Sequence, residues 1–130
     1  NFVDAKCVIE GNKAALQFDK YTMELPEAKA KKLIDGGYAG KTVVLGIRPE
    51  DISDDKETIE KNAAYTVETD VTGYELLGAE VMLYFTVAGA NLSAKVAADT
   101  PARYGDHIKV AFDPTKIHVF DKETELTITN

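Results

Sequence analysis

Apolar and polar side chains alternate along most of the chain, and this alternation predicts β-strands. In the segment 14–19, for example, alanine, leucine and phenylalanine share one face, while glutamine and aspartate take the other. The segment 81–87 is apolar on both faces, which predicts a strand in the interior of a sheet. Gly, Asn and Pro residues between these segments supply turns, so the sequence predicts an all-β sandwich or barrel of short antiparallel strands. The predicted strands cover residues 14–18, 43–47, 65–71, 81–87, 108–112 and 117–120.

One stretch, residues 26–35, departs from the alternation and predicts a short helix. It is rich in helix formers, has Pro26 at a starting position, and is followed by a pair of glycines that would end it. A narrow apolar stripe would dock this helix on the strands. The stripe consists of Ala30, Leu33 and Ile34. The most polar segment, residues 53–58, is interpreted as a loop between strands.

The length and the charge limit the classes of function. A chain of 130 residues and 14.2 kDa predicts a single domain over 1–130. Because the sequence begins with Asn1-Phe2 rather than with Met, we expect it to be a piece of a longer protein. Fifteen Lys and Arg residues against 22 Asp and Glu residues give a net charge of −7. This balance argues against nucleic-acid partners, and there is no apolar run long enough for membrane insertion.

Residue types that carry chemistry do not form a convincing site. A lone Cys7 excludes an internal disulfide and any cysteine-cluster metal site, and we expect a buried apolar role for it. The glycine-rich segment 36–42 precedes a predicted strand rather than a helix, so it does not match a phosphate-binding loop. The acidic residues of 51–60 lack calcium-loop spacing. His107 and His118 have no evident catalytic partners, and we predict no catalytic, cofactor-binding or metal-binding residues.

The hexamer 46–51, Gly-Ile-Arg-Pro-Glu-Asp, is the most informative motif. Pro49 would end the preceding strand and hold Arg48 in an extended conformation. An arginine and two acidic residues would then stand at the strand end, ready for charge-assisted hydrogen bonds. Two interpretations stay open: a corner whose charges satisfy one another, or a contact point for a partner.

This hexamer resembles a strand-end motif in the regulatory domain of the ATP-binding subunits of carbohydrate ABC importers, of the maltose and multiple-sugar type. Three further motifs agree in order and cover essentially the whole chain. They are Glu75-x-Leu77-Gly78-x-Glu80 followed by Tyr84, then Gly105-Asp106-x-Ile108, and then His118-x-Phe120-Asp121-x-x-Thr124. One departure is Glu125, which stands where the family often has glycine.

The resemblance implies an OB-fold-like, MOP/TOBE-type β-barrel that is regulatory and mediates dimerisation, and that is not itself an enzyme. The parent subunit would hydrolyse ATP with Mg²⁺ at a site upstream, so we expect no cofactor in this chain. The implied partners are the twin ATPase subunit, the transmembrane permease subunits through the parent and, in some members, a regulatory protein. The implied location is cytoplasmic, at the inner face of the cell membrane. Residues that we expect to make contacts, because they lie at turns and strand ends, are Arg48, Glu50, Asp51, Glu75, Glu80 and His118.

An alternative within the same group of barrels is an oxyanion-binding or small-ligand-binding TOBE module. Related barrels of molybdate and tungstate systems bind oxyanions through backbone amides and Ser or Lys side chains. Ser93-Ala94-Lys95 lies where such a motif would stand, although the surrounding glycine-rich and asparagine-rich cradle is lacking and the negative charge is unfavourable.

Overall fold

A computed structural model describes residues 1–130 and divides them into two compact units. The terminal unit comprises Phe2–Gly46 and Pro114–Asn130, and the central unit comprises Asn1 and Ile47–Asp113. Each unit contains one antiparallel sheet. The elements in chain order are β1 (Phe2–Glu10), β2 (Lys13–Phe18), β3 (Tyr21–Glu24), α1 (Glu27–Asp35), β4 (Thr42–Gly46), β5 (Ile52–Ser53), α2 (Lys56–Lys61), β6 (Thr66–Leu77), β7 (Glu80–Val87), β8 (Ala90–Ala97), β9 (His107–Phe112), β10 (His118–Asp121) and β11 (Thr127–Thr129).

The terminal unit is built on a six-stranded sheet in the order β11-β10-β4-β1-β2-β3. β4 lies between β1 and β10, so the two ends of the chain meet on one strand. Successive side chains of β1 point alternately to the buried inner face and to the outer face of this sheet, as the period-two pattern requires. Its buried side chains include Val3, Ala5, Cys7, Leu16, Val43, Leu45 and Val119. The predicted buried, apolar role of Cys7 is confirmed, and burial raises the pKa of its thiol.

The helix α1 confirms the prediction made for residues 26–35 and packs against β2 and β11. Ala30 and Leu33 are buried as the apolar stripe requires. Lys29 is also buried, which the stripe did not predict, and its ammonium group donates to the carbonyl of Asn130. Burial, followed by the charges of Lys116 and Lys32, lowers the pKa of Lys29.

The central unit contains a five-stranded sheet in the order β5-β9-β6-β7-β8. The two edge strands, β5 and β8, contact each other, so the sheet forms a nearly closed barrel. β7 lies between β6 and β8, which confirms the interior strand predicted over 81–87. The buried side chains of this barrel include Val67, Val81, Leu83, Phe85, Val110 and Phe112. The all-β fold class is therefore confirmed.

One local prediction is wrong. The segment 53–58 is not an irregular loop, because β5 ends at Ser53 and α2 begins at Lys56. Asp55 caps this helix: its carboxylate accepts a hydrogen bond from the Thr58 amide at 3.1 Å. A polar helix of six residues has too few apolar positions to produce a periodic signal, so only the cap could have indicated it.

No helix in the structure combines the length and the apolar character that a membrane span requires.

Candidate interaction surfaces

The strand-end turn after β4 holds three of the predicted contact residues. Its backbone is satisfied internally, because the Asp51 amide donates to the Arg48 carbonyl at 2.9 Å and the Asp113 amide donates to the Asp51 carbonyl at 3.0 Å. The side chains of Arg48 and Glu50 are exposed, and neither forms an ion pair or a hydrogen bond within the chain. The geometry therefore does not support a corner in which the charges satisfy one another.

The β6–β7 hairpin carries the next two predicted contact residues, Glu75 and Glu80. The Tyr84 hydroxyl donates to Glu75 at 3.3 Å, and the Lys95 ammonium lies 3.9 Å from the Glu80 carboxylate. Partial burial and then the Glu75 charge raise the pKa of Tyr84. Between the two acidic residues, Leu76 and Leu77 are 60% and 47% exposed. The tip of this hairpin presents apolar side chains that sequence reasoning had not singled out.

His118, the sixth predicted contact residue, lies in the terminal unit on the outer face of β10. Its neighbours Ile117 and Val119 are fully buried on the inner face, as the alternation predicted. The Nδ1 atom of His118 is buried and makes no hydrogen bond. Its ring centroid lies 6.5 Å from that of Phe120, which follows two residues later on the same face.

An aromatic cleft opens on this same outer face. Phe2 and Phe120 meet edge to face with their ring centroids 5.8 Å apart. Gly46 lies beneath them without a side chain, because a Cβ there would stand 2.7 Å from Cε2 of Phe120 and 3.3 Å from Cε1 of Phe2. The cleft has a volume of about 410 Å³. The residues that line the aromatic cleft are Phe2, Val44, Phe120, Asp121, Lys122 and Glu125.

The turn after β10 is organised by Asp121. One carboxylate oxygen accepts hydrogen bonds from the amides of Glu123 and Thr124, both at 2.9 Å, and the other accepts from the Tyr38 hydroxyl at 2.7 Å. The Thr124 amide, and after it the Tyr38 hydroxyl, lower the pKa of Asp121. Its hydrogen bond to Asp121 raises the pKa of Tyr38 in turn. The spacing of the motif 118–124 therefore reflects a capped turn at the end of a strand.

The net charge is distributed very unequally between the two units. The central unit has 13 acidic and 6 basic side chains, whereas the terminal unit has 9 of each. The central unit therefore carries the whole net charge of −7. A strongly acidic surface attracts basic partners and repels another copy of itself.

The residues that could bind an oxyanion are already engaged in other contacts. The Ser93 amide and hydroxyl both donate to the side-chain oxygen of Asn1, at 2.9 and 3.3 Å. Lys95 lies beside Glu80. His107 lies between two carboxylates, 2.8 Å from Asp70 and 3.8 Å from Glu68. No group of three or more His, Cys, Asp or Glu side chains is arranged to hold a metal ion.

The structure thus brings the predicted contact residues together only in part. Arg48, Glu50 and Asp51 share one turn of the central unit, and Glu75 and Glu80 share its hairpin, whereas His118 belongs to the terminal unit. Sequence reasoning missed Phe2 as a surface residue, although it is 64% exposed. The alternation along β1 does place Phe2 on the face opposite the buried Val3. One strand alone, however, does not show whether other side chains cover that outer face.

Comparison with known proteins agrees with this architecture. The family model described as the MalK OB fold domain matches residues 1–52, and the model of the TOBE domain matches residues 45–120. The oligosaccharides import ATP-binding protein MsmX of Bacillus subtilis is 40% identical over 106 residues, which cover 82% of this chain and 29% of that protein. The trehalose/maltose import ATP-binding protein MalK of Thermococcus litoralis is 31% identical over 125 residues, which cover 95% of this chain and 33% of that protein.

A solved structure of the cytoplasmic molybdate-binding protein ModG, with molybdate bound, superposes with a TM-score of 0.67. It covers 92% of this chain and 94% of that one at 14% identity, and so supports the fold alone. Together, the strand architecture and the family match define a class of OB-type β-domains. The chain belongs to the TOBE domain family, with a MalK-type OB fold region at its start, and the resemblance noted in the sequence is confirmed. It spans about a third of the length of the curated relatives it matches.

Proposed function

We propose that residues 1–130 form the non-catalytic regulatory and dimerisation domain of an ATP-binding subunit of a carbohydrate ABC importer. The observation that carries this proposal is the TOBE-family match over residues 45–120, together with relatives named as sugar-import ATP-binding proteins. The free charged side chains on the turn of Arg48 and Glu50 add physical support, since such groups are suited to contact a partner.

The physical role of such a domain is to keep two ATPase subunits together. A lasting contact between two copies raises the effective concentration of one nucleotide-binding domain for the other. ATP-driven closure and reopening can then proceed without dissociation of the subunits. ATP and Mg²⁺ would bind in the parent subunit, which hydrolyses the nucleotide, and this chain would contribute contacts and no chemical step.

The parent subunit would work at the cytoplasmic face of the cell membrane, bound to its permease subunits. The contact residues that we propose for the central unit are Arg48, Glu50, Asp51, Glu75 and Glu80, and His118 is the contact residue proposed for the terminal unit. Because the central unit holds all of the net negative charge, its partner would present a basic surface. That partner would be another domain of the transporter or a regulatory protein.

The test is the mass of the 130-residue chain in solution as a function of its concentration. Sedimentation equilibrium up to about 1 mM chain would detect even a weak contact. We expect a monomer–dimer equilibrium that needs neither nucleotide nor sugar. A chain that stays monomeric over the whole range would contradict the proposed dimerisation.

The alternative, an oxyanion-binding module, has one observation in its favour, the fold shared with the molybdate-binding protein ModG. Against it, Ser93 is bonded to Asn1, and Lys95 lies next to a carboxylate. Calorimetric titration with molybdate and with sulfate separates the two proposals, and we expect no binding heat. A micromolar signal with either anion would favour the alternative.

A further inference from the structure

We infer that an extended segment of a partner protein, rich in lysine and arginine, docks on the open edge of β9 as an additional strand of the central sheet. The segment would lie beside residues 107–110 and continue the line of β5. This inference goes beyond the proposed dimerisation, because it concerns the central unit and holds whether or not the chain pairs with a second copy.

Two hydrogen bonds fix which residues of β9 face which neighbouring strand. On the β6 side, the Val71 amide donates to the Asp106 carbonyl at 2.8 Å, and on the β5 side the Asp113 amide donates to the Asp51 carbonyl at 3.0 Å. Residues that exchange hydrogen bonds with one neighbour recur at every second position of an antiparallel strand. The even-numbered residues of β9 therefore direct their amides and carbonyls to β6, and the odd-numbered residues direct theirs to the β5 side.

β5 occupies only part of its side of β9. It pairs with Ala111 and Phe112 and reaches no further along the strand. The main-chain amides and carbonyls of His107 and Lys109, which point to the same side, make no hydrogen bond within the chain. A row of unpaired main-chain groups at a sheet edge is a template for another strand. The central sheet thus has an open edge in front of β5.

A groove runs along this open edge. After β5 the chain turns away from β9, where the Asp55 amide donates to the Ser53 hydroxyl at 3.0 Å, and continues into α2. The space bordered by α2 and β9 has a volume of about 630 Å³, and its lining includes the apolar side chains of Ile59, Pro101 and Ile108. Since a cavity of about 150 Å³ already accommodates a benzene ring, the groove has room for the alternate side chains of an added strand.

The charges around the groove favour a basic occupant. The carboxylates of Asp54, Glu60 and Asp106 line it, against two ammonium groups. Two further carboxylates, both on β6, lie 3.8 and 2.8 Å from the His107 ring. The whole central unit carries the net charge of −7. Lysine and arginine side chains on an added strand would therefore be attracted to this edge.

Two other occupants make different predictions. A second copy of this chain would bring another central unit with a net charge of −7 to the groove, which disfavours it. A segment of the parent ATP-binding protein outside residues 1–130 would fill the groove in that protein already. In that case a peptide would bind the 130-residue chain and would not bind the parent protein.

The probe is a synthetic hexapeptide with blocked ends in which valine alternates with lysine, the valine–lysine peptide. Two N-methylated versions carry the methyl groups either on all valine amides or on all lysine amides, so that each version lacks the donors on one edge of the peptide. A version with glutamate in place of lysine tests the charge. NMR titration measures the binding of each peptide to the 130-residue chain and of the valine–lysine peptide to the parent protein.

Two variants test the edge itself. Lys109→Pro removes an amide hydrogen that faces the groove and leaves the hydrogen bonds to β6 in place, and the residue before it is already extended. Lys109→Ala is the matched control, because it keeps the amide and removes only the charged side chain. If Lys109→Pro does not fold, amide hydrogen exchange of the wild type and the two methylated peptides carry the test.

We expect the valine–lysine peptide to bind with a Kd below about 1 mM. Lys109→Pro should weaken this binding by about fivefold or more, whereas Lys109→Ala should bind as tightly as the wild type or more tightly, because a like charge is lost. The amides of residues 107 and 109 should exchange rapidly in the free chain and about tenfold more slowly with bound peptide, while those of 108 and 110 exchange slowly in both. One methylated version should bind like the unmodified peptide and the other should not bind.

Several results would overturn the inference: no binding below about 1 mM, equal loss for both methylated versions, slow exchange of the Lys109 amide in the free chain, or tighter binding of the glutamate version. A peptide that binds the 130-residue chain but not the parent protein would assign the groove to the parent. A peptide that dissociates paired chains would assign it to a second copy, and either result would overturn the assigned partner. The proposed dimerisation stands or falls separately, on sedimentation equilibrium without peptide.

Discussion

The ring of Phe120 lies directly against Gly46, so that a Cβ at Gly46 would stand 2.7 Å from Cε2 of that ring. The two residues are far apart in sequence and belong to neighbouring strands, where Gly46 pairs with His118 and Val44 pairs with Phe120. They come from two of the motifs that carry the family resemblance. The glycine of one motif and the aromatic residue of the other thus form one contact, which a side chain at Gly46 would disrupt.

This contact makes Gly46→Ala a test of the packing. The backbone at Gly46 is not in the left-handed region, so the cost of a methyl group there is steric. Because the Phe120 ring must move, we expect the free energy of unfolding to fall by about 1–3 kcal/mol, measured by urea denaturation. Phe120→Ala in the same chain should remove most of the penalty of Gly46→Ala in a double-mutant cycle.

Gly73→Ala is the matched control for this variant. Its Cβ would stand 3.1 Å from Cδ2 and 3.2 Å from Cβ of Tyr84, contacts that are looser than the 2.7 Å approach at Gly46. The intrinsic gain of replacing glycine in a strand, about 0.5–1 kcal/mol, should offset much of that contact. Equal costs for the two alanine variants would contradict the steric explanation.

Tyr38→Phe tests the hydrogen bonds that organise the turn at Asp121. Removing the hydroxyl takes away one of the bonds that lower the pKa of Asp121, so we expect this pKa to rise. It should stay below the ordinary value, because the Thr124 amide still donates. NMR titration of the Asp121 carboxyl carbon measures the shift, with Tyr104→Phe, an exposed tyrosine of the central unit, as the control.

The same substitution should alter stability in a pH-dependent way. A carboxyl group whose pKa is lowered by folding contributes stability above its unfolded pKa, about 3.9, and this contribution is lost as pH falls through the folded pKa. The difference in stability between wild type and Tyr38→Phe should therefore shrink in acid. An Asp121 pKa that is the same in both proteins would contradict the role of Tyr38.

Glu125→Gly is expected to stabilise the fold. Glu125 has a φ of 61°, which lies in the left-handed region, where a side chain is strained by about 1–2 kcal/mol. The sequence had shown glutamate where the family often has glycine, and the structure explains why glycine suits the position. We expect a gain of about 0.5–1 kcal/mol in the free energy of unfolding, after the entropic cost of glycine is subtracted. Glu123→Gly, two residues earlier and without a positive φ, should not stabilise, and a gain in that variant would contradict the explanation.

Arg48→Glu tests the strand-end turn as a contact point. Because Arg48 is exposed and has no partner within the chain, the reversal should change the free energy of unfolding by at most about 0.5 kcal/mol. If the turn transmits regulation, the ATP hydrolysis rate of the assembled parent transporter should change by about fivefold or more. Glu50→Lys is the partner variant on the same turn. Unchanged stability together with unchanged hydrolysis in both variants would remove these residues from the proposed contacts.

Local features of the fold could be predicted from the sequence, and features that join distant segments could not. The alternation over 81–87 and the helix-forming run over 26–35 identified β7 and α1, because each pattern lies within one element. The burial of Lys29 depends on Asn130 at the far end of the chain, and the cleft depends on Phe2 and Phe120 meeting across β4. Neither of these long-range contacts produces a periodic pattern in the sequence.

The candidate contacts divide in the same way. Arg48 and Glu50 could be named from the sequence, because Pro49 ends the strand there and exposes its neighbours. The location of all the net charge in the central unit could not be predicted from the sequence, because it depends on which segments share a sheet. Residues 47–113 are continuous in sequence, and the strands on either side of them, β4 and β10, pair with each other in the terminal unit.

The most direct test of the proposed function compares the parent ATP-binding protein with a version that ends just before Asn1. Sedimentation equilibrium of both proteins without nucleotide measures whether residues 1–130 hold two subunits together. We expect the complete protein to be a dimer and the shortened protein to be a monomer. The same number of subunits per particle in both proteins would contradict a role for this chain in pairing the ATPase subunits.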